Sequence, residues 1–358
     1  MPDASRQTGA PRLAEHTTLR LGGPAAELVV ATTEAELVEA VSTADAAGRP
    51  LLLVAGGSNL VVSDDGFDGL VVKVGTRGVR PDVEDGPGPA APSCGGVVVR
   101  VAAGESWDAF VAHAVERGWV GVEALSGIPG SVGATPVQNV GAYGQEVSQT
   151  VASVRTWDRV ERRQRTFAAA DCGFGYRHSR FKAEPGRYVV LEVAFQLVTG
   201  SLSAPVGYAE LARRLGVEVG QRAPLADVRA AVLALRAGKG MVLDEADHDT
   251  WSAGSFFTNP LLAPEQAETL PPGAPRFAQP DGRVKTSAAW LIEHAGFGRG
   301  YTLGAPVSLS TKHTLALTHR GGGTTADLLA LARAVRDGVR ESFGVELVNE
   351  PVLVGCSL

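Results

Sequence analysis

The sequence predicts an α+β protein with two lobes. Short apolar strands and amphipathic helices occur in an irregular mixture along the 358 residues. That length is typical of two or three domains rather than one. The hydrophobic fraction of 44% and the charged fraction of 20% allow a sizeable buried core. We place the boundary between the lobes near 199–205.

Composition excludes several classes of protein. The 33 Lys and Arg residues against 39 Asp and Glu residues give a net charge of −6, which disfavours nucleic-acid binding. Cys94, Cys172 and Cys356 are too far apart for a zinc motif and odd in number, which argues against a disulfide framework. Neither a signal peptide nor an apolar run of about 18 residues is present. We expect a soluble cytoplasmic protein that binds no membrane.

The elements of the first lobe begin after a flexible tail over 1–12. Thr33 and Glu36 form a capping box that starts a helix, and Gly48 ends it. The apolar run over 51–54 predicts a buried strand that leads into a glycine turn. The loop over 81–96 is too rich in proline and glycine to form an element.

Periodicity predicts the remaining elements. Apolar runs and alternation indicate strands over 70–74, 97–101, 151–157, 188–197 and 345–355. Apolar residues at helical spacing, with glycine or proline at the ends, indicate helices over 107–115, 209–215, 224–236, 288–294 and 325–343.

Two glycine-containing segments are candidates for binding an anion. Gly56 and Gly57, followed by Ser58 and Asn59, come directly after a buried strand and offer backbone and side-chain donors. Their spacing matches neither a Rossmann fingerprint nor a P-loop, so an ordinary turn is the alternative. The segment 126–144 also supplies many backbone donors, which suits a dinucleotide. Its apolar residues indicate that it is tethered rather than a flexible surface loop.

Four single residues are candidates for chemistry. Arg177 is a residue type that binds carboxylates, although a surface strand arginine is the alternative. Ser255 and Asn259 lie in a tight, half-buried segment that is equally consistent with a plain turn. Glu350 lies in the apolar strand 345–355, where a carboxylate is either exposed at an edge or part of a site with a shifted pKa.

Two further motifs are chance matches. Ser179 and Lys182 have the SxxK spacing of penicillin-recognising enzymes, but neither an SDN motif nor a KTG motif follows. The acidic segment 244–249 has the spacing of neither an EF-hand nor an HExxH zinc site. We therefore predict no metal site.

Five segments in the same order resemble the UDP-N-acetylenolpyruvoylglucosamine reductase family. They read LLLVAGGSNL, SGIPGSVGATPVQNVGAYG, CGFGYRHSRFK, AGSFFTNP and ELVNEPVLVG. The resemblance starts near His16 and spans nearly the whole chain. It implies an FAD-binding fold of the vanillyl-alcohol-oxidase type over 13–200, in two subdomains that meet near 75–97. An α+β substrate-binding domain would follow over 201–358, its terminal strand returning to the active site.

The resemblance also implies a non-covalently bound FAD. Thr18 and Arg20 are weaker members of the implied cofactor site. The residues at matching positions are Gly56, Gly57, Ser58, Asn59, Leu60, Ser126, Gly127, Pro129, Gly130, Ser131, Gly133, Ala134, Gln138, Asn139, Gly141, Ala142 and Tyr143.

The implied reaction belongs to bacterial peptidoglycan precursor synthesis. Hydride would pass from NADPH to FAD and then to the enolpyruvyl double bond of a UDP-sugar, forming UDP-N-acetylmuramate. Ser255 matches the proton donor of the family. Arg177 and Glu350 match the pair that stabilises the enolate-like intermediate, with Glu346 as the alternative acid. Val348 stands where relatives often carry another acid, and His319 where asparagine is frequent.

Contacts with the UDP-sugar are implied for seven residues. Lys239, one of five lysines, lies between two glycines, where a point charge suits a diphosphate. The matching positions are Tyr143, Tyr176, Arg177, Tyr208, Lys239, Asn259 and His313.

Two other functions compete with the reductase. A flavin-dependent oxidase of the same fold would pass electrons to oxygen, and many such oxidases attach FAD through histidine or cysteine. Segments 51–60 and 126–144 contain neither residue. A nucleotide-sugar-binding protein without flavin is the non-enzymatic alternative, against which intact Arg177, Ser255 and Glu350 argue. We expect a monomer.

Overall fold

The structure is a computed structural model that describes residues 10–82 and 96–358. The described chain divides into two compact units. Unit 1 contains the described residues up to Glu27, Gly57–Asp68 and Gly238–Leu358, and unit 2 contains Leu28–Gly56 and the described part of Gly69–Ala237. Most of the predicted loop over 81–96, Cys94 and the first nine residues of the predicted tail lie outside the described residues. The domain limits at 13–200 and 201–358 stay a prediction.

Strands and helices alternate irregularly, as expected for the α+β class. The described strands are β1 Ala25–Ala31, β2 Leu51–Val54, β3 Leu60–Val62, β4 Phe67–Val74, β5 Val79–Asp82, β6 Gly96–Ala102, β7 Trp119–Val120, β8 Gly141–Ala142, β9 Gln145–Glu146, β10 Val151–Asp158, β11 Arg163–Ala168, β12 Tyr188–Thr199, β13 Ser252–Ser255, β14 Leu261–Leu262, β15 Phe277–Ala278, β16 Val284–Lys285, β17 Val307–Leu309, β18 Ala316–His319 and β19 Val352–Val354.

The described α-helices are α1 Glu34–Ala46, α2 Trp107–Glu116, α3 Arg180–Ala183, α4 Ala209–Leu215, α5 Leu225–Gly238, α6 Pro264–Glu268, α7 Ala288–His294 and α8 Thr325–Phe343. Short 3-10 helices cover Leu13–His16, Glu123–Leu125, Val132–Ala134, Val147–Gln149, Ala169–Cys172 and His248–Thr250. None of the described helices has both the length and the apolar character needed to cross a bilayer.

Unit 2 is built around an antiparallel sheet in the order β11-β10-β12-β6-β5, with β7 also paired to β12. Helix α2 packs on this sheet because Trp107 and Phe110 contact Phe195 of β12. A smaller sheet in the order β1-β4-β2 packs against α1. The predicted capping box of α1 is confirmed, since the Glu36 amide donates to Thr33 Oγ1 and the Glu36 carboxylate accepts from the Thr33 amide.

Unit 1 is built around the sheet β13-β18-β17 and the long helix α8. The predicted apolar stripe of α8 is buried along its length, from Leu328 to Val339. Thr324 and Asp327 form a capping box at its start. Strand β19 pairs with β3 in parallel, so the end of the chain is joined to a segment near its beginning.

The predicted strand over 345–355 is wrong in extent. Only Val352–Val354 form a strand, and the preceding residues pair through a single bridge between Asn349 and Phe257. Pro351 has no amide hydrogen to donate, so it interrupts the ladder. Glu350 is therefore held by a short extended segment rather than within a strand.

Candidate functional site

The candidate residues lie in both units, and each unit is described by itself. In unit 2, Gly56 lies directly against the glycine-rich segment. A Cβ added at Gly56 would stand 2.6 Å from the Cα of Gly130, and one added at Gly133 would stand 2.5 Å from the Cβ of Ala103. Only glycine fits at these positions without movement of the neighbouring chain. The backbone at the end of β2 therefore packs directly on the backbone of the 126–144 segment, with no side chain between them.

The glycine-rich segment is tethered, as its apolar residues predicted. Val132 is fully buried, and Ile128, Val137 and Val140 pack against the unit 2 core. Some of its amides are already used, since Val132 and Gly133 donate to the carbonyls of Glu105 and Ala103. These two amides are therefore not donors to a ligand.

Besides Arg162 in the turn between β10 and β11, three non-glycine residues of unit 2 adopt left-handed backbone. They are Asn139 with φ 48°, Tyr143 with φ 50° and Arg177 with φ 51°. This conformation is uncommon for residues with a Cβ, and such strain concentrates at functional sites. All three are candidate site residues from the sequence.

Asn139 is almost completely buried, and its side chain is fully hydrogen-bonded within the protein. Its Nδ2 donates to Glu146 Oε2 at 2.7 Å and to the Gly175 carbonyl at 3.1 Å. Its Oδ1 accepts from the Ser148 amide at 3.1 Å. Both amide hydrogens are thus used, so the side chain joins the glycine-rich segment to the turn that precedes Arg177.

Arg177 lies in a tight turn, not on a surface strand. Gly175 and His178 close the turn through two backbone hydrogen bonds. The guanidinium donates from Nη2 to the Gly141 carbonyl at 3.1 Å and lies 5.6 Å from the Tyr176 ring. The Asn139 side chain thus donates from the glycine-rich segment to the Arg177 turn, and the Arg177 guanidinium donates from that turn to the glycine-rich segment.

Ser179 and Lys182, the chance match to SxxK, have a structural role. The buried Ser179 hydroxyl donates to the Val137 carbonyl and accepts from the Lys182 amide at the start of α3. Lys182 Nζ donates to the Arg177 carbonyl at 3.0 Å. These bonds add to the attachment of the Arg177 turn to the 126–144 segment.

Two candidate tyrosines of unit 2 lie together. The rings of Tyr143 and Tyr208 meet edge to face, with centroids 5.5 Å apart. The adjacent glycines approach closely, because a Cβ at Gly144 would lie 3.1 Å from the Cα of Gly207. Tyr208 immediately precedes α4 and is 44% exposed, so this pair is accessible from solvent.

Sequence reasoning missed Arg236 of α5. It is 9% exposed, and burial lowers its pKa, while Tyr143 and Asp108 act in the opposite direction. Burial alone would raise the pKa of Asp108, but hydrogen bonds from Arg229 and the Gly127 amide hold it below its usual value. Arg236 follows Val232 by four residues, so helical spacing places it on the apolar face of α5, and that spacing was the available signal.

In unit 1, Gly57 forms a turn that only glycine can adopt. Its φ is +59°, and a Cβ would lie 1.8 Å from the His16 carbonyl oxygen. Thr18 donates two hydrogen bonds: its amide donates to the Gly57 carbonyl, and its Oγ1 donates to the Ser252 carbonyl. This attachment connects the Gly57 turn to β13, the strand that carries Ser255.

Ser255 and Glu350 of unit 1 are joined through one residue. Ser255 ends β13 and is half-buried, and Phe256 next to it is 1% exposed. The Phe256 carbonyl accepts from the Glu350 amide at 2.8 Å. The Glu350 carbonyl in turn accepts weakly from Asn59 Nδ2 at 3.4 Å, and Val352 donates to the Asn59 carbonyl. The structure therefore brings Ser255, Glu350 and Asn59 into one connected group.

Three other unit 1 candidates lie at turns and helix ends. Asn259 Oδ1 accepts from the Ala288 amide at the start of α7, and the His313 amide donates to Ser310 Oγ. Lys239 directly follows the last residue of α5.

The acidic segment 244–249 is used for ion pairs. Asp247 pairs with Lys312 and Asp249 with Arg320. Among the described residues, no group of three or more histidine, cysteine or acidic side chains could hold a metal ion.

His319 of β18 is buried beside Trp251, with ring centroids 5.7 Å apart. Burial lowers the pKa of His319, and nearby His248 lowers it further, whereas a Leu19 backbone hydrogen bond raises it. The Gly323 amide donates to His319 Nε2, which requires that nitrogen to be unprotonated. His319 is therefore held as the neutral imidazole.

Comparison with known families gives two matches along the chain. Residues 25–165 match a family described as an FAD binding domain. Residues 245–354 match the UDP-N-acetylenolpyruvoylglucosamine reductase, C-terminal domain.

Curated proteins that match along nearly the whole chain are highly similar. The UDP-N-acetylenolpyruvoylglucosamine reductase of Cutibacterium acnes is 60% identical over 348 residues, covering 97% of this chain and 90% of the relative. That of Streptomyces coelicolor is 58% identical over 357 residues, covering 97% and 90%. That of Thermobifida fusca is 57% identical over 357 residues, covering 97% of each.

A solved structure shares the fold. The crystal structure of UDP-N-acetylenolpyruvylglucosamine reductase from Thermus caldophilus covers 97% of this chain and 99% of its own, with 23% identity and a TM-score of 0.63. Together with the FAD-binding match, this likeness confirms the predicted α+β fold with an FAD-binding domain.

Proposed function

Because the chain belongs to the UDP-N-acetylenolpyruvoylglucosamine reductase family, we propose that it uses NADPH and FAD to reduce UDP-N-acetylglucosamine enolpyruvate to UDP-N-acetylmuramate. The protein is a flavin-dependent oxidoreductase. The observation that carries the proposal is 60% identity over 97% of the chain to a named reductase. The proposal includes a cytoplasmic role in peptidoglycan precursor synthesis and a monomeric state.

FAD, when bound, supplies the hydride that adds to the enolpyruvyl double bond. The close packing of Gly56 on Gly130 supports FAD binding, because two backbone segments without side chains suit a pyrophosphate. Tyr143 at its left-handed position is the proposed aromatic contact of FAD. The other proposed FAD-binding residues are those of the sequence analysis, except that neither the Asn139 side chain nor the Gly133 amide has a hydrogen left for the cofactor.

We assign proton donation to Ser255. Hydride adds at the CH₂ terminus, so negative charge develops at the carbon next to the substrate carboxylate. A serine hydroxyl protonates that carbon only when the developing carbanion is strongly basic. The backbone hydrogen bond from the Glu350 amide to the Phe256 carbonyl fixes the segment that carries Ser255.

Arg177 and Glu350 are assigned to stabilisation of this charge. The guanidinium of Arg177 is a planar donor suited to the substrate carboxylate and its enolate-like form. Its attachment to Gly141 restricts the orientation of the guanidinium. Tyr143, Tyr176, Tyr208, Lys239, Asn259 and His313 are the proposed UDP-sugar contacts.

An anaerobic titration tests the proposal. The purified protein is reduced with NADPH, UDP-N-acetylglucosamine enolpyruvate is added, and the visible flavin band is recorded. The expected result is bleaching by NADPH and recovery of the oxidised band on addition of the UDP-sugar without oxygen. A flavin that stays reduced until air enters would instead indicate an oxidase. A protein that neither contains FAD nor takes it up would overturn the assignment.

A further inference from the structure

Glu123 is a completely buried carboxylate in unit 2. Its Oε2 accepts from the Gly121 amide at 2.7 Å, and its Oε1 accepts from the Ala204 amide at 2.7 Å and from Gln145 Nε2 at 3.0 Å. All three donors are neutral N–H groups. A buried carboxylate is costly unless such bonds satisfy it, so this arrangement fixes three chain segments to one side chain.

Two of those segments carry the candidate tyrosines. Gln145 lies two residues after Tyr143, and Ala204 lies four residues before Tyr208. Gln145 is fixed a second time, because its Oε1 accepts from the Ala124 amide at 2.8 Å. The carboxylate thus holds both the β8–β9 hairpin and the segment leading into α4.

We propose that Glu123 is a positioning residue that sets the spacing of Tyr143 and Tyr208 for binding the UDP-sugar. This inference rests on the proposed function. Glu123 itself is fully buried and touches no substrate. It acts through the two tyrosines, whose edge-to-face contact depends on the hairpin and the 204–208 segment staying in register.

The isosteric change Glu123→Gln tests this role. Every partner of the carboxylate is a donor, so the new amide NH₂ has to face another N–H. At least one of the bonds to Gly121, Gln145 or Ala204 is then lost while the side-chain volume stays the same. The segments carrying the tyrosines are expected to loosen without a new cavity.

The decisive measurement separates the two half-reactions. For Glu123→Gln we expect the KM for the UDP-sugar to rise by about tenfold, because the contact of the two tyrosines with the UDP-sugar is weakened. Flavin reduction by NADPH in the absence of UDP-sugar should stay within about twofold of wild type. Glu192→Gln is the matched control, because Glu192 is also buried in unit 2 but pairs with Arg80 and Arg155. It should lower thermal stability without raising that KM.

A double variant shows whether the effect passes through the tyrosine. Tyr208→Ala alone should raise the KM, and adding Glu123→Gln should raise it little further, because the two residues act on one contact. Full additivity, or a KM for Glu123→Gln no higher than for Glu192→Gln, would overturn the proposal. If wild type fails to turn over the UDP-sugar, the proposed function fails, and calorimetric binding of UDP to wild type and Glu123→Gln then decides the role of Glu123. Equal affinities for UDP would reject it.

Discussion

Asn139 allows the sharpest test of the unit 2 site. Asn139→Ala removes three hydrogen bonds, to Glu146, Gly175 and Ser148, at a residue that is 1% exposed. At about 1 kcal/mol for each hydrogen bond, the free energy of unfolding decreases by about 3 kcal/mol. Alanine at φ 48° adds about 1 kcal/mol, because asparagine tolerates left-handed backbone better than alanine does. The expected decrease in the free energy of unfolding is about 4 kcal/mol.

Asn139→Gly is the matched control. It loses the same three hydrogen bonds but adopts the left-handed conformation without a Cβ penalty. Its expected loss is therefore about 3 kcal/mol, roughly 1 kcal/mol less than that of alanine. Urea unfolding of the three proteins, each saturated with FAD, measures the differences. Equal losses for the two variants would refute the backbone argument, and losses below about 1 kcal/mol would refute the hydrogen-bond argument.

The same variants have an expected functional consequence. Loss of the bond to the Gly175 carbonyl frees the turn that carries Arg177, so reoxidation of the flavin by the UDP-sugar should slow more than its reduction by NADPH. FAD content should change little, since both Asn139 amide hydrogens bond to protein. A variant that releases FAD while its half-reactions slow equally would show that Asn139 contacts the cofactor directly.

Three other predictions concern separate parts of the chain. Ser255→Ala should lower turnover of the UDP-sugar by about 10²–10⁴-fold, the usual contribution of a positioned acid, and leave flavin reduction by NADPH intact in stopped-flow traces. Gly56→Ala should lower the FAD content of the purified protein, because its Cβ would stand 2.6 Å from the Gly130 Cα. Because burial holds the pKa of His319 below its usual value of about 6.5, the unfolded state binds more protons as pH falls through that value. The free energy of unfolding should therefore decrease below about pH 6.5, and His319→Asn should flatten that decrease in urea titrations.

Each of these predictions has its own contrary result. Equal slowing of both half-reactions in Ser255→Ala would remove Ser255 from proton donation. Gly298→Ala, at a glycine with open space around it, serves as control for Gly56→Ala. An equal FAD content in the two variants would reject FAD binding where Gly56 packs on Gly130. An unchanged pH dependence in His319→Asn would assign the decrease to other groups.

Local signals predicted most of the helices. The capping box at Thr33 and Glu36, and the apolar stripe of α8, are set by nearest-neighbour chemistry within a few residues. The predicted helices over 209–215, 288–294 and 325–343 match the observed bounds. These elements need no knowledge of distant partners.

Strand pairing and the left-handed residues could not be predicted from local patterns. The apolar alternation over 345–355 was read as a strand, but a strand needs a partner, and Pro351 allows one only from Val352 onward. The alternation itself comes from burial of Val345 and Leu347 in the unit 1 core. Positive φ at Arg177 has no sequence signature, because its tertiary contacts are not visible in the sequence. Positive φ at Tyr143 follows from the two-residue turn that it forms with Gly144 between β8 and β9, and that pairing could not be predicted locally.

The position of β19 has a consequence for how the protein is made. Strand β3 is synthesised well before its parallel partner β19, because the two strands lie far apart in the sequence. Unit 1 is also completed only by Gly238–Leu358, whereas the residues of unit 2 end at Ala237. During synthesis the residues of unit 2 are therefore complete first, while β3 keeps an unpaired edge until β19 has been made. Loss of Val352–Val354 would leave that edge of β3 without its partner strand.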